Sequence, residues 1–426
     1  MKNNKRVIII GLDGIPFELV KALSETEVMP NTKEIISQGI LKRMESSIPE
    51  ISSVAWSSII TGKNPAEHGI FGFTELHPNS YELRFPNFND LKSSPFWDLI
   101  EGKSIIINVP ATYPVKEING VLISGFVSID LEKSVYPKFL IPKLQELEYR
   151  LDVDSMKAHE SLGLFLEDLD KTLKARIQTY RYLWRYTDWQ VFMLVFTGTD
   201  RLMHFLWQAY ENSSNPYHRD FLDHLHKIDE VIGEIAIELS DEDLLIILSD
   251  HGFERLDKEV YVNYPLKSEG FLKLKKSSSQ SFLSKIDYST KAFALDPGRI
   301  YINLKGKYPN GSVSLEDREK VIRDLEELFN SLEIENNKVI KGIYRKEQIY
   351  SGTFMDKAPD LVLVADCGFN LKGKLDDNTN LFDKGIFEGK HTKDNAFLLI
   401  RNQRCEIPDS PKVFDVANII LFALGK

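Results

Sequence analysis

The sequence predicts an α/β fold with a mostly parallel central sheet and helices on both faces, and three observations predict it. Short runs at residues 7–10, 104–109, 190–196 and 244–248 are almost wholly apolar, as strands covered on both faces of a parallel sheet must be. Stretches with apolar residues at helical spacing separate these runs. Three acids, Asp13, Asp200 and Asp250, stand at or just after the ends of such runs, and open α/β sheets bind ligands at that edge.

Taken in order, residues 7–10 (VIII) form a first buried strand that ends in G-L-D-G and presents Asp13. A helical pattern follows over 17–23, and Pro30 with Asn31 opens another that Gly39 closes. Residues 51–73, I-S-S-V-A-W-S-S-I-I-T-G-K-N-P-A-E-H-G-I-F-G-F, place small hydroxyls before an apolar run. Val54, Ala55, Ile59 and Ile60 fall at roughly helical spacing, and Gly62 with Pro65 supplies the stop. Ser52 and Ser53 are therefore expected at a helix cap, where free N–H groups and the helix dipole stabilise an oxyanion or phosphate. A plain N-cap is the simpler role for either serine.

Residues 104–109 and 121–123 read as strands punctuated by Pro110, Pro114 and Gly120. Over 131–187 the texture changes to Lys, Glu and Leu at helical spacing, and this segment is expected to be an inserted helical cap without strand character. Residues 190–196 form a buried strand followed by T-G-T-D-R-L-M-H, and a long helix spans 221–239. The strand at 244–248 ends in S-D-H-G, repeating the order apolar run, acid, glycine. Residues 254–298 are expected to be an irregular loop insertion, with the K-K-S-S-S-Q-S run at 275–281 on the surface. Further strands are expected at 299–303, 339–344 and 361–364, with a helix over 315–332. A G-K-H-T loop at 389–392 precedes a strand at 396–400, and 413–424 is the closing helix. With no internal repeat, residues 1–426 are expected to form a single α/β domain carrying the two insertions.

Composition bounds the function. A chain of 426 residues, 42% apolar and 27% charged, can bury a sizeable core. A formal charge of −10 argues against sequence-independent nucleic-acid binding, which needs basic grooves. The two cysteines, Cys367 and Cys405, form no C-x-x-C pair, so neither a disulfide framework nor a thiolate zinc ribbon is expected, and a reducing, cytoplasmic setting fits. The apolar run after the basic start lasts four residues, too few for a signal peptide, and no stretch approaches the roughly 18 apolar residues of a membrane span.

His251 directly follows Asp250, and His204 lies four residues after Asp200, on one face if that segment is helical. His391 sits in G-K-H-T. Three carboxylates and three imidazoles converging on one sheet edge suffice for two divalent cations, each with a position left open for substrate. Two such ions about 4 Å apart clamp the attacking and leaving oxygens of an in-line displacement at phosphorus and make a serine hydroxyl a usable nucleophile. Phosphoryl or sulfuryl transfer is the chemistry this set suggests. His77, His159, His218, His224 and His226 are assigned no role.

In that order, G-L-D-G, S-S-V-A-W-S-S-I-I-T-G-K-N-P-A-E-H-G-I, T-D-R-L-M-H, S-D-H-G and G-K-H-T resemble the alkaline phosphatase superfamily, and most closely its type I phosphodiesterase/nucleotide pyrophosphatase branch. The resemblance spans residues 7–400 and implies an alkaline-phosphatase-like fold. It implies Asp13, Ser52, Asp250 and His251 at one metal and Asp200, His204 and His391 at the other. It also implies Ser52 rather than Ser53 as nucleophile, since the family places that residue nine before the Thr of T-G, here Thr61. His68 is a motif residue that is not a ligand in the family and is expected to be structural. N-V-P-A-T-Y-P at 108–114 and R-I-Y-I-N-L-K-G at 299–306 also look like stretches of uncharacterised members, without an assigned role.

The chain departs from many nucleotide pyrophosphatases in having Ser52 in place of Thr and Phe73 in place of a phosphate-contacting Asn, which argues against carrying nucleotide specificity over. It lacks C-x-P-x-R, which disfavours the sulfatase branch. The expected function is a metal-dependent phosphoester hydrolase using Ser52 and two divalent ions, zinc by default, with manganese or iron as substitutes. A phosphomonoesterase or phosphomutase of the same superfamily is the alternative, with Lys63, Lys390 and Arg299 as the candidate cations for a monoester's extra charge. A non-catalytic metal-binding member is a further alternative that the complete ligand set disfavours. The expected partner is a small phosphorylated substrate, with no nucleic-acid polymer and no membrane, and no oligomeric state is assigned.

Overall fold

A computed structural model describes residues 5–276, 281–376 and 379–426 of the chain. It divides into two compact units: Met1–Lys63, Asn87–Glu254 and Ile386–Lys426 form the first, and Asn64–Pro86 with Arg255–Gly385 forms the second.

The first unit is built on an eight-stranded sheet in the order Gly39–Met44, Ala396–Arg401, Leu244–Leu248, Val7–Leu12, Val191–Phe196, Ser104–Val109, Gly120–Ser124, Val135–Tyr136. The five strands from Leu244–Leu248 to Gly120–Ser124 run parallel; Ala396–Arg401 and Val135–Tyr136 flank them antiparallel, and Gly39–Met44, antiparallel to Ala396–Arg401, runs in the direction of the five. Val7 pairs in register with both Val191 and Leu244, so these three strands end together at the edge that carries the acids.

Alternation along the strands sends side chains to two faces. Ile8, Ile10, Leu12, Phe192, Leu194, Phe196, Leu245 and Ile247 share one core with Leu19, Val20 and Leu23 of the Phe17–Ser24 helix. Phe165, Leu169 and Leu173 of the Leu162–Trp184 helix and Leu225, Ile228 and Ile232 of the His218–Ile237 helix complete it. On the opposite face, a Cβ added at Gly11 would lie 2.4 Å from Trp56 Cη2, so the Ser52–Thr61 helix packs there. Every residue of that helix is buried, which explains its apolar run.

The segment 131–187 differs from expectation. Val135–Tyr136 is a strand that joins the edge of the main sheet, and the Leu162–Trp184 helix buries its apolar face in the sheet's own core. Amphipathic spacing identifies a helix but not the surface it covers, so a layer of the domain reads like an inserted cap.

The second unit holds an antiparallel sheet in the order Ala292–Leu295, Arg299–Ile302, Leu361–Ala365, Ile340–Arg345. The Leu315–Asn330 helix covers it with Val321, Ile322, Leu325 and Phe329. Residues 254–298, expected to be irregular, contribute most of the Gly252–Tyr261 strand, the Asn263–Ser268 helix and the Ala292–Leu295 strand. The centre of the 275–281 run, residues 277–280, lies outside the described residues. Among the described residues, no helix is long and apolar enough to cross a membrane.

Candidate metal centre

Seven side chains named from the sequence meet at one edge of the first unit's sheet. Asp13 follows the Val7–Leu12 strand and is 2% exposed. Asp250 and His251, both fully buried, bridge the Leu244–Leu248 and Gly252–Tyr261 strands. Asp200 and His204 occupy successive turns of the Gly198–Glu211 helix. The G-K-H-T segment, expected as a loop, is a short strand, Gly389–Thr392, paired with Gly252–Tyr261, and it delivers His391. Ser52 is the first residue of its helix rather than its cap. Ile51 holds the cap position with extended backbone, and no side chain caps the helix start.

These residues form two ligand groups. Asp13, Asp250 and His251 offer atoms within 4.8 Å of one another, and Asp200, His204 and His391 do the same. Ser52 Oγ lies 3.4 Å from Asp13 Oδ1 and 3.1 Å from His251 Nε2. His391 Nε2 is 3.0 Å from Asp200 Oδ1 and 3.0 Å from His204 Nε2, and the rings of His251 and His391 stack at 3.7 Å.

Each imidazole has its Nδ1 against a backbone carbonyl: His204 on Gly389 O at 3.0 Å, His391 on Glu50 O at 3.0 Å, His251 on Gly252 O at 3.2 Å. A carbonyl only accepts, so Nδ1 carries the proton and Nε2 presents a lone pair, the arrangement that orients a metal-ligating histidine. In the neutral rings the Nε2 atoms of His204 and His391 therefore turn lone pairs toward each other at hydrogen-bond distance.

The carboxylates are just as unbalanced. Burial, then the nearby Asp250 and Asp200, pushes Asp13 well above the usual carboxylate range, although Trp56 Nε1 donates to its Oδ2 at 3.0 Å. Burial raises Asp250 to about 7 against the opposing hydrogen bond from Gly14 N–H to its Oδ1. Asp250 Oδ2 is buried without a hydrogen-bond partner. Burial holds His204 down at about 3 and His251 well below its ordinary value. Asp200 goes the other way: burial is outweighed by His204, His391 and Arg201, and it stays well below the ordinary range. Crowded lone pairs and carboxylates in a dry pocket are what divalent cations neutralise, and mixed imidazole and carboxylate donors suit zinc, manganese or iron.

Supporting residues escaped the sequence reading. Ser46 Oγ donates to Asp250 O at 2.7 Å and Thr199 Oγ1 to Asp13 O at 2.6 Å, fixing the backbone of both acids. Trp56, four residues into the serine helix, and Arg201, next to Asp200, carried the only signal that could have found them, their proximity to named residues. Of the candidate cations, Lys390 pairs with Glu254 at 2.9 Å, and Lys63 is exposed. Arg299 is buried in the second unit, where it donates to Asp296 O and Thr74 O. His68, also in the second unit, is fully buried, and its Nδ1 accepts from Ile70 N–H at 3.2 Å.

A mostly parallel sheet that gathers two carboxylate–imidazole groups and a helix-start hydroxyl at its carboxyl edge defines an alkaline-phosphatase-like protein. Residues 7–394 match the family model described as type I phosphodiesterase / nucleotide pyrophosphatase, and the chain belongs to that family. It is a hydrolase acting on phosphoester bonds. No curated protein sequence matches the chain. Among solved structures, phosphonoacetate hydrolase from Sinorhizobium meliloti 1021 in complex with phosphonoformate superposes with a TM-score of 0.65 at 14% identity, over 99% of this chain and 95% of that one. Murine ectonucleotide pyrophosphatase / phosphodiesterase 5 gives 0.55 at 14% identity over the same shares. At such identity the likeness is one of fold.

Proposed function

We propose that the chain is a phosphodiesterase that works through Ser52 and two divalent ions, zinc by default, held by Asp13, Ser52, Asp250 and His251 on one side and Asp200, His204 and His391 on the other. The observation that carries the reading is the convergence of Nε2 lone pairs, each fixed by a carbonyl behind it, on buried carboxylates. When bound, such ions supply Lewis acidity to phosphate oxygens and lower the pKa of a bound hydroxyl.

The chain's own residues do the rest. Ser52 Oγ gives up its hydroxyl proton and forms the new bond to phosphorus while the bond to the departing ester oxygen breaks, and that oxygen takes up a proton to leave as an alcohol, so one proton lost is one proton gained. Water then attacks the phosphorylated Ser52, returning the hydroxyl and releasing a phosphate monoester. The uncapped start of the Ser52–Thr61 helix turns backbone N–H groups and the positive end of its dipole toward the phosphoryl oxygens.

A diester, with one charge at phosphorus, is favoured over a monoester because two cations adjacent in sequence to the ligand groups already have carboxylate partners. Lys390 pairs with Glu254, and Arg201 lies between Asp200 and Asp152. A cytoplasmic setting and a small phosphorylated substrate complete the reading. Turnover on aryl diesters, aryl monoesters and nucleotides tests it: the diester should be fastest, and preference for the monoester would replace it with a phosphomonoesterase.

A further inference from the structure

The side-chain cluster beside the second ligand group is built from three distant parts of the first unit. Arg201 Nη1 donates to Asp200 Oδ2 at 2.9 Å, and Arg201 Nη2 donates to Asp152 Oδ2 at 2.9 Å. The guanidinium carbon stands 4.2 Å from the centre of the Phe126 ring. Phe126 is held in turn by a hydrogen bond from Ala111 N–H to its carbonyl at 2.8 Å. Ala111 belongs to the N-V-P-A-T-Y-P stretch that the sequence left without a role. The same stretch anchors the turn before Asp200, because Asn108 Nδ2 donates to Val195 O at 3.0 Å and to Thr197 Oγ1 at 3.1 Å.

The two oxygens of Asp200 have separate partners. Oδ2 takes the arginine, and Oδ1 faces His391 Nε2 at 3.0 Å and His204 Nε2 at 3.5 Å. A carboxylate on a free side chain can rotate or offer both oxygens, whereas one whose second oxygen is charge-paired at 2.9 Å cannot without breaking that bond. The arginine is not a ready clamp for substrate: it is only 16% exposed, with carboxylates on both Nη atoms and an aromatic ring against its carbon.

We propose that Arg201 is a positioning residue: braced by Asp152 and Phe126, it fixes Asp200 so that Oδ1 alone joins the Nε2 atoms of His204 and His391, and it thereby sets the affinity and geometry of that metal position. The proposal rests on the two-metal reading. It also connects the 131–187 segment to the site, through Asp152, and the 108–114 stretch, through Phe126.

The test uses the full chain with cobalt(II) as the probe, comparing wild type with Arg201→Gln, Arg201→Lys and Asp152→Asn by competition against a chelator and by visible absorption. Wild type should bind two cobalt ions. Arg201→Gln should keep one at wild-type affinity and weaken the other about tenfold or more, with an altered ligand-field spectrum. Arg201→Lys should restore part of the loss, and Asp152→Asn should shift affinity and spectrum in the same direction, less far. With a diester substrate at saturating metal, kcat should fall while KM changes less than about threefold. Wild-type cobalt affinities and spectrum in Arg201→Gln would overturn the proposal, as would a raised KM at unchanged kcat, which would place the arginine on the substrate. Should Arg201→Gln fail to fold, Asp152→Asn decides alone, and wild-type cobalt behaviour in it counts against the proposal. A wild-type protein that binds no divalent cation would instead remove the two-metal reading itself.

Discussion

Ser52 and Ser53 are neighbours with similar burial, yet their hydroxyls have different surroundings. Ser52 Oγ contacts Asp13 and His251, whereas Ser53 Oγ is buried with no hydrogen-bond partner. Ser52→Ala should therefore lower turnover on the order of a thousandfold or more while the six remaining ligands keep metal bound, measured by kinetics and metal analysis. Ser53→Ala should cost at most about tenfold, roughly 1.4 kcal/mol of barrier, and removing an unsatisfied buried hydroxyl should not destabilise the fold. Phosphate trapped on Ser53, or full activity in Ser52→Ala, would reverse the assignment. Asp200→Ala and His391→Ala remove ligands from the same group, so the double variant should be little worse than either single one, and additive losses in kcat/KM would separate their roles. Of the seven residues that meet at the sheet edge, the acids and histidines were legible from apolar runs, glycine turns and helical spacing, whereas Ser52 could not be told from Ser53 that way and came from the resemblance alone. Arg201, Asp152 and Phe126 were not legible: their partnership is made by folding across up to 75 residues, and no spacing rule connects Phe126 to Arg201.

At the scale of elements, the strands that carry the acids were readable because a strand buried on both faces must be apolar throughout, as 7–10, 190–196 and 244–248 are. Within 131–187 the strand Val135–Tyr136 went unread because two residues are too short to show a period, and over 254–298 the strand Gly252–Tyr261 went unread because its charged residues break the alternation. Turn chemistry was a better guide. Gly14, closing G-L-D-G, has φ +75°, donates its N–H to Asp250 Oδ1 at 3.1 Å, and would place an added Cβ 2.8 Å from the Phe253 ring. Gly14→Ala should thus cost about 1–3 kcal/mol in denaturant unfolding from the strained φ and the crowded ring. It should also weaken metal binding, since the amide that orients Asp250 must move. A variant with wild-type stability and metal affinity would show that this turn tolerates a side chain and does not set the acid.

At the scale of the whole molecule, the proposed metal centre should tie stability to ion occupancy, and the sign of one substitution should depend on whether ions are present. Cations that bind only the folded chain stabilise it by about 2.7 kcal/mol at a free concentration one hundred times Kd. Without them, Asp250 is a buried carboxyl raised to about 7 by burial, with Oδ2 lacking a hydrogen bond and His251 Nε2 3.3 Å from it. A folded-state pKa above the unfolded value means that this carboxyl's contribution is present below about pH 4 and lost as pH rises through about 7, so the stability of the chelated wild type relative to a variant without the carboxyl should fall over that window, the buried histidines being common to both. Asp250→Asn keeps an oxygen for the Gly14 amide and puts an NH2 where Oδ2 stood, able to donate to the lone pair of His251 Nε2. In chelator at pH 8 the variant should be more stable than wild type by about 1–3 kcal/mol, and it should lack the alkaline loss. In excess zinc the order should invert, because the variant has surrendered a charged ligand and holds that ion weakly. Paired thermal melts of the two proteins, with zinc and with chelator, measure both signs. The same order under both conditions would mean that this carboxylate is not held against its own desolvation for the sake of a cation.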